Sequence, residues 1–137
     1  MRRYLQRLAV AGLIAVSATA PAQAPRVAAL DLVAPGAWSL HEIGSTGAPL
    51  ALCVREATAL LQVRHGASQC SRFVVDQGPR RATVHYTCPG LGYGRTTLSV
   101  EDEGVIRLQT QGILRGAPFD FDYEARRTGT CSPAGTR

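Results

Sequence analysis

The chain has 137 residues, enough for one domain and not two. Its fifteen basic residues are all arginine, set against ten carboxylates. They are scattered along the chain, which argues against a nucleic-acid surface, where cations must cluster.

The first residues, MRRYLQRLAVAGLIAVSATAPAQA, read as a secretory signal peptide. Arg2, Arg3 and Arg7 form a basic start, Leu8 to Ala20 an apolar centre, and small residues lead out to Pro21 and Pro25. The apolar run is shorter than the ~20 residues a membrane helix needs, so no span is expected in the mature chain. Two small-x-small exits exist. Ala22-Gln23-Ala24 would put Pro25 first, whereas Ala20-Pro21-Ala22 places cleavage after Ala22 and makes residues 1–22 the signal. Three arginines leave with it, so twelve remain against ten carboxylates, a net +2. The lack of lysine and the wealth of Ala, Arg and Gly point to a GC-rich bacterial genome.

Residues 23–34 read as a lead-in with little pattern, and 35–131 as one β-rich domain. Gly36 to Ile43 is the first predicted strand, with Trp38 and Leu40 on one face. Gly44 to Gly47 turns the chain, and Leu50 to Val54 returns. The period then changes. In Arg55 to Gly66, the residues Ala57, Leu60 and Leu61 follow helical spacing, which predicts one short helix. It is too short to be stable without packing on something. Five more strands follow: Arg72–Asp76, Ala82–Cys88, Arg95–Glu101, Val105–Gln111 and Pro118–Arg126. The last alternates most clearly, with Phe119, Phe121, Tyr123 and Ala125 facing one way and Asp120, Asp122, Glu124 and Arg126 the other. Residues 132–137 read as a disordered tail.

Seven strands with short turns imply antiparallel neighbours. The expected fold is mainly β: a curved antiparallel meander or incomplete barrel, its apolar face covered by the one short helix. That face would hold Trp38, Val84, Tyr86, Leu98, Ile106, Leu108, Phe119, Phe121 and Tyr123. Incomplete filling of the curl would leave an apolar cavity or groove.

Cys53, Cys70, Cys88 and Cys131 form an even set in an exported chain, which reads as two disulfides. Their intervals of 17, 18 and 43 residues contain none of the close pairs typical of zinc sites. Four cysteines allow three pairings. The expectation is Cys53–Cys70, stapling the helix-bearing loop between adjacent strands, and Cys88–Cys131, closing the curl.

Candidate chemistry is thin. The three histidines, His41, His65 and His85, show no paired metal spacing. His85 falls opposite the core by period two. Gly90, Gly92 and Gly94 lack the spacing of a dinucleotide loop and precede a strand, so they read as a tight connection after Pro89. G-x-S-x-G, H-E-x-x-H and S-x-x-K are all missing, and no cofactor is implied. Asp120, Asp122 and Glu124 are the most hydrolase-like feature, since carboxylates ~7 Å apart on one strand face could do acid–base work. The reading preferred is a solvated face, with Arg107 opposite Asp122 in the last hairpin.

Pro35-Gly36-Ala37-Trp38, followed by Cys53, Cys70 and Cys88 at successive strand ends, resembles a bacterial exported family known only as domain-of-unknown-function family 3617. The likeness runs from about Leu32 to Cys131. It implies export and a β-rich fold, and it transfers no catalytic residues. The expected role is therefore a periplasmic or secreted envelope protein that binds an apolar ligand or a protein partner. A small hydrolase using the strand-borne carboxylates is the alternative.

Overall fold

The computed structural model describes residues 26–132, together with Ala18 and Ala20. The expected signal peptide, its cleavage point and the tail beyond Ser132 lie outside the described residues.

Seven antiparallel strands form one open sheet. They are β1 (Gly36–Glu42), β2 (Leu50–Val54), β3 (Ser71–Gln77), β4 (Arg81–Cys88), β5 (Gly92–Asp102), β6 (Val105–Leu114) and β7 (Ala117–Gly129). The order across the sheet is β2-β1-β7-β6-β5-β4-β3. Strands β3 to β7 thus make a meander, and β1 adds to its far side by pairing with β7, Leu40 facing Ala125. Strands β2 and β3 are the two edges. Register shifts near Trp38, Val75 and Glu101 mark bulges, which bend a sheet and increase its twist.

The segment between β2 and β3 crosses the sheet's apolar face. It is a 3₁₀ helix, Ala57–His65, broken by a non-helical Gln62. The spacing had suggested one helix of regular form. Such tight turns suit short connectors held by packing. Here Leu60 and Leu61 are fully buried against the strands, each stabilising the fold by about 1.5–3 kcal/mol.

From Val27 onward the supposed lead-in contributes to the core. Ala28–Leu32 forms another 3₁₀ turn, and Val27, Ala29 and Val33 are buried with the sheet's inner face. Its apolar positions are too few to show a period, so the sequence pattern gave no sign of them. Trp38, Leu40, Val84, Leu98, Ile106, Leu108 and Ala125 are in the same core, as the alternation predicts.

The disulfide pairing expected from the sequence is corrected. The bonds are Cys53–Cys131 and Cys70–Cys88. Strands β2 and β3 sit at opposite edges, so Cys53 and Cys70 are far from neighbours. Cys70 instead precedes β3 and Cys88 ends β4, where Ser71 already faces Thr87. Cys131 follows β7, which lies one strand away from β2 across the start of β1. The shorter loop is nested inside the longer one. Two disulfides mark an oxidising compartment. No helix among the described residues is long and apolar enough to cross a membrane.

Candidate functional site

The richest constellation gathers where the cross-sheet helix ends, above β4 to β7. Period two places Tyr86 on the inner face of β4, and its register partners in turn are Gly94, Gly112 and Phe119. Two glycines therefore face each other between two aromatic residues. A methyl group on Gly94 would lie 2.4 Å from the Tyr86 hydroxyl and 2.5 Å from Cζ. One on Gly112 would run into the Tyr93 carbonyl oxygen and the Gly94 Cα of β5 and would lie 3.0 Å from Phe119 Cζ. The Tyr86 ring thus occupies the space a side chain at Gly94 would need, and at Gly112 the β5 backbone and Phe119 do so. The Gly-x-Gly-x-Gly run serves this purpose in part: Gly90 is in the turn, but Gly92 and Gly94 are in β5, which starts three residues before the expected Arg95.

His65, the last residue of the helix, seals this bed. Its ring stands edge-on to Tyr86 (centroids 5.2 Å apart) and to Phe119 (5.8 Å). Nε2 is 3.1 Å from the Ile113 carbonyl, which can only accept, so Nε2 carries the proton. Nδ1 is then an acceptor, and the Tyr86 hydroxyl donates to it at 3.0 Å. Burial lowers the His65 pKa below 6.5, partly opposed by the Ile113 bond, while nearby Arg64 lowers it further. Burial raises the Tyr86 pKa, with Thr110 and Arg64 acting in the other direction. Both groups are therefore held neutral.

A second chain of bonds runs alongside. The Thr96 hydroxyl donates to the Leu61 carbonyl at 2.7 Å, so the Thr110 hydroxyl, 2.8 Å away, donates to Thr96. The helix is thus fastened to the sheet at Leu61 and at His65. Phe119, Phe121 and Tyr123 form a stacked ladder along β7. The Arg64 guanidinium lies over Phe121, 4.5 Å from its centroid. Its Nε is buried with no hydrogen-bond partner among the described residues, and the ring face meets its charge instead.

A phenol bonded to an imidazole has the parts of an acid–base pair. Here the hydroxyl is sealed and the histidine is 5% exposed, so the pair's work is to lock the helix in place. The sequence placed His65 only at a helix exit and gave it no partner. Strand-interior glycines such as Gly112, which signal a close approach, were the available clue.

The strand-borne carboxylates do not converge. Asp122 is bound by Arg107 through two bonds of 3.0 and 2.6 Å, and this contact holds its carboxyl below the usual range. The partners had been expected to face each other directly. In fact Arg107 faces Glu124, and Asp122 faces Gln109, so the ion pair is diagonal. The turn is centred on Arg115-Gly116, one residue later than supposed. Glu124 pairs with Arg126 on its own strand. Among the described residues no cluster of His, Cys, Asp or Glu could hold a metal. His41 and His85 are on the outer face, as period two requires, and His85 stacks on Tyr93.

Two surface features remain. An apolar cleft of about 260 Å³ opens at the rim near β3, floored by Val27, Leu61 and Val84, with Leu30 and Val74 as walls. Arg26 and Arg72 flank its mouth. The polar outer face has two adjoining depressions of about 320 and 400 Å³ that share Arg95, Gln111 and Asp120. No family model, curated protein or solved structure matches the chain.

Proposed function

We propose that this is an envelope protein, exported to the periplasm or beyond, that binds an apolar ligand and catalyses no reaction. Likeness to the exported family 3617 is part of the same reading. The observation that carries it is the rim cleft. Its floor and walls are largely aliphatic, and its mouth carries Arg72, bonded to Gln62, on one side and the Arg26–Asp31 ion pair on the other, so Arg72 is the cation that would meet an anionic head. That combination suits a small amphiphile with an anionic head. At 260 Å³ it falls just below the roughly 300–1,000 Å³ of drug-sized ligand sites, so it fits a short acyl chain or the end of a longer one. The ion-paired Asp122 and the sealed His65–Tyr86 pair weigh against the hydrolase alternative.

The test titrates octanoate, dodecanoate and an apolar fluorescent dye into the disulfide-intact protein. Saturable binding that Val74→Trp abolishes by filling the cleft is expected. No saturable binding, or binding indifferent to Val74→Trp, overturns the reading. Protein-partner binding along the edge strand is favoured by Phe73, 63% exposed, and Val75, 44% exposed. It predicts that Phe73→Arg abolishes partner capture and leaves dye binding intact.

A further inference from the structure

We propose that the polar outer face is a second binding site, separate from the rim cleft, and that it takes one or two sugar units of a neutral glycan. The sheet register builds it. Phe73, His85, Arg95, Gln111 and Asp120 are successive cross-strand partners on β3 to β7. They form one row across the outer face. The depressions described above lie over Arg95, Gln111 and Asp120, with Thr97 and Gln109 on one side and the His85–Tyr93 pair on the other.

The chemistry of the row selects the ligand. Arg95 can only donate hydrogen bonds, ionised Asp120 can only accept, and Gln111 between them does both. Neither charge has an ion-pair partner among the described residues. Their opposite signs cancel, so the row as a whole attracts neither anion nor cation. Hydroxyl groups, neutral and each both donor and acceptor, can satisfy all three positions. A free α-amino acid also has both polarities. Binding of such a zwitterion is one outcome of the test below, the backbones of Arg95 and Asp120 lying two strand spacings, about 9.5 Å, apart.

The aromatic wall fits the same ligand. Tyr93 is 48% exposed and lies nearly parallel to His85 at 27°. The exposed part of the Tyr93 ring, stacked against His85, borders the polar row. An aromatic face is negative and accepts positively polarised C–H bonds, which a pyranose ring presents on one side while its hydroxyls point outward. A polar row beside an aromatic wall is thus complementary to the two kinds of surface on a sugar.

The test uses the disulfide-bonded protein with cellobiose, maltose and chitobiose as probes, followed by amide chemical shifts and calorimetry. Saturable binding of at least one disaccharide is expected, with shifts centred on Tyr93, Arg95, Gln111 and Asp120. Tyr93→Ala and Asp120→Ala should each weaken it about tenfold, the loss of one good contact. Val74→Trp should leave it unchanged, so failure here and failure of the rim cleft are distinguishable. Three results overturn the proposal: none of the three sugars binds; binding survives both outer-face substitutions; or the zwitterionic tripeptide triglycine binds at this row in place of the sugars. Tyr93 and Asp120 are exposed, so the two variants keep the fold.

Discussion

Replacing Gly94 with alanine tests the glycine bed directly. The new methyl would stand 2.4, 2.5 and 2.7 Å from the hydroxyl, Cζ and Cε1 of Tyr86. Such separations are well inside contact distance, so the tyrosine ring must lift from β5. Lifting it stretches the 3.0 Å bond to His65 and pushes on the helix end. Overpacking of this kind costs about 1–3 kcal/mol, and a lost hydrogen bond adds about 0.5–1.5. The expected loss is roughly 2–4 kcal/mol, a large share of the ~5–15 kcal/mol that holds a domain together. At about 4 °C per kcal/mol for a domain of this size, Tm falls by roughly 8–16 °C. Urea unfolding followed through Trp38, buried and the chain's one tryptophan, measures it. Tyr86→Leu removes the ring, so Gly94→Ala should cost far less in that background. The reasoning is refuted if Gly94→Ala costs under about 0.5 kcal/mol, or if the two changes are additive.

His65 gives the fold a pH dependence. Its folded pKa is lowered, so below about pH 6.5 the unfolded chain takes up a proton that the folded one refuses. Stability is unaffected above that value and falls by up to about 1.4 kcal/mol per pH unit below it, until the folded pKa is reached. Urea midpoints between pH 7.5 and 5.5 should show this slope, and His65→Gln should flatten it. Thr96→Val keeps the shape but strips the Leu61 carbonyl and Thr110 of a partner; a loss of about 1–3 kcal/mol in the same assay is expected. Unreduced peptide mapping should recover Cys53 with Cys131 and Cys70 with Cys88. Alanine at both cysteines of the inner bond should cost about 3 kcal/mol, and at both of the outer bond about 4.5, by loops of 18 and 78 residues.

What the sequence disclosed followed the range of the physics involved. Alternation is a local signal, and it located all seven strands, including β2 to the residue and the apolar face from Trp38 to Tyr123. Turn chemistry is nearly local, yet a shift of one residue at Arg115-Gly116 moved Arg107 from Asp122 to Glu124. Arg115 adopts a left-handed φ of 49° there, a conformation the residue type does not advertise. The pairing of β1 with β7 had no local signature, and the disulfide error followed from it. Had the β3–β4 hairpin been folded about Gly78-Pro79, Cys70 would have landed within one residue of Cys88. The outer row of Arg95, Gln111 and Asp120 was hidden for the same reason, since it exists only once three strands are in register.

The strand order also dictates a sequence of assembly. Each hairpin from β3 to β7 can zip onto the one before it, and the inner disulfide needs only the first of them. Strand β1 must wait, because its partner in the sheet interior is the last strand of the chain. Until β7 arrives, the β1–β2 hairpin has nowhere to dock, and such long-range closures are the slow steps of folding. The outer bond joins residues 78 apart across that same seam. Its formation therefore reports that β7 has reached its place beside β1.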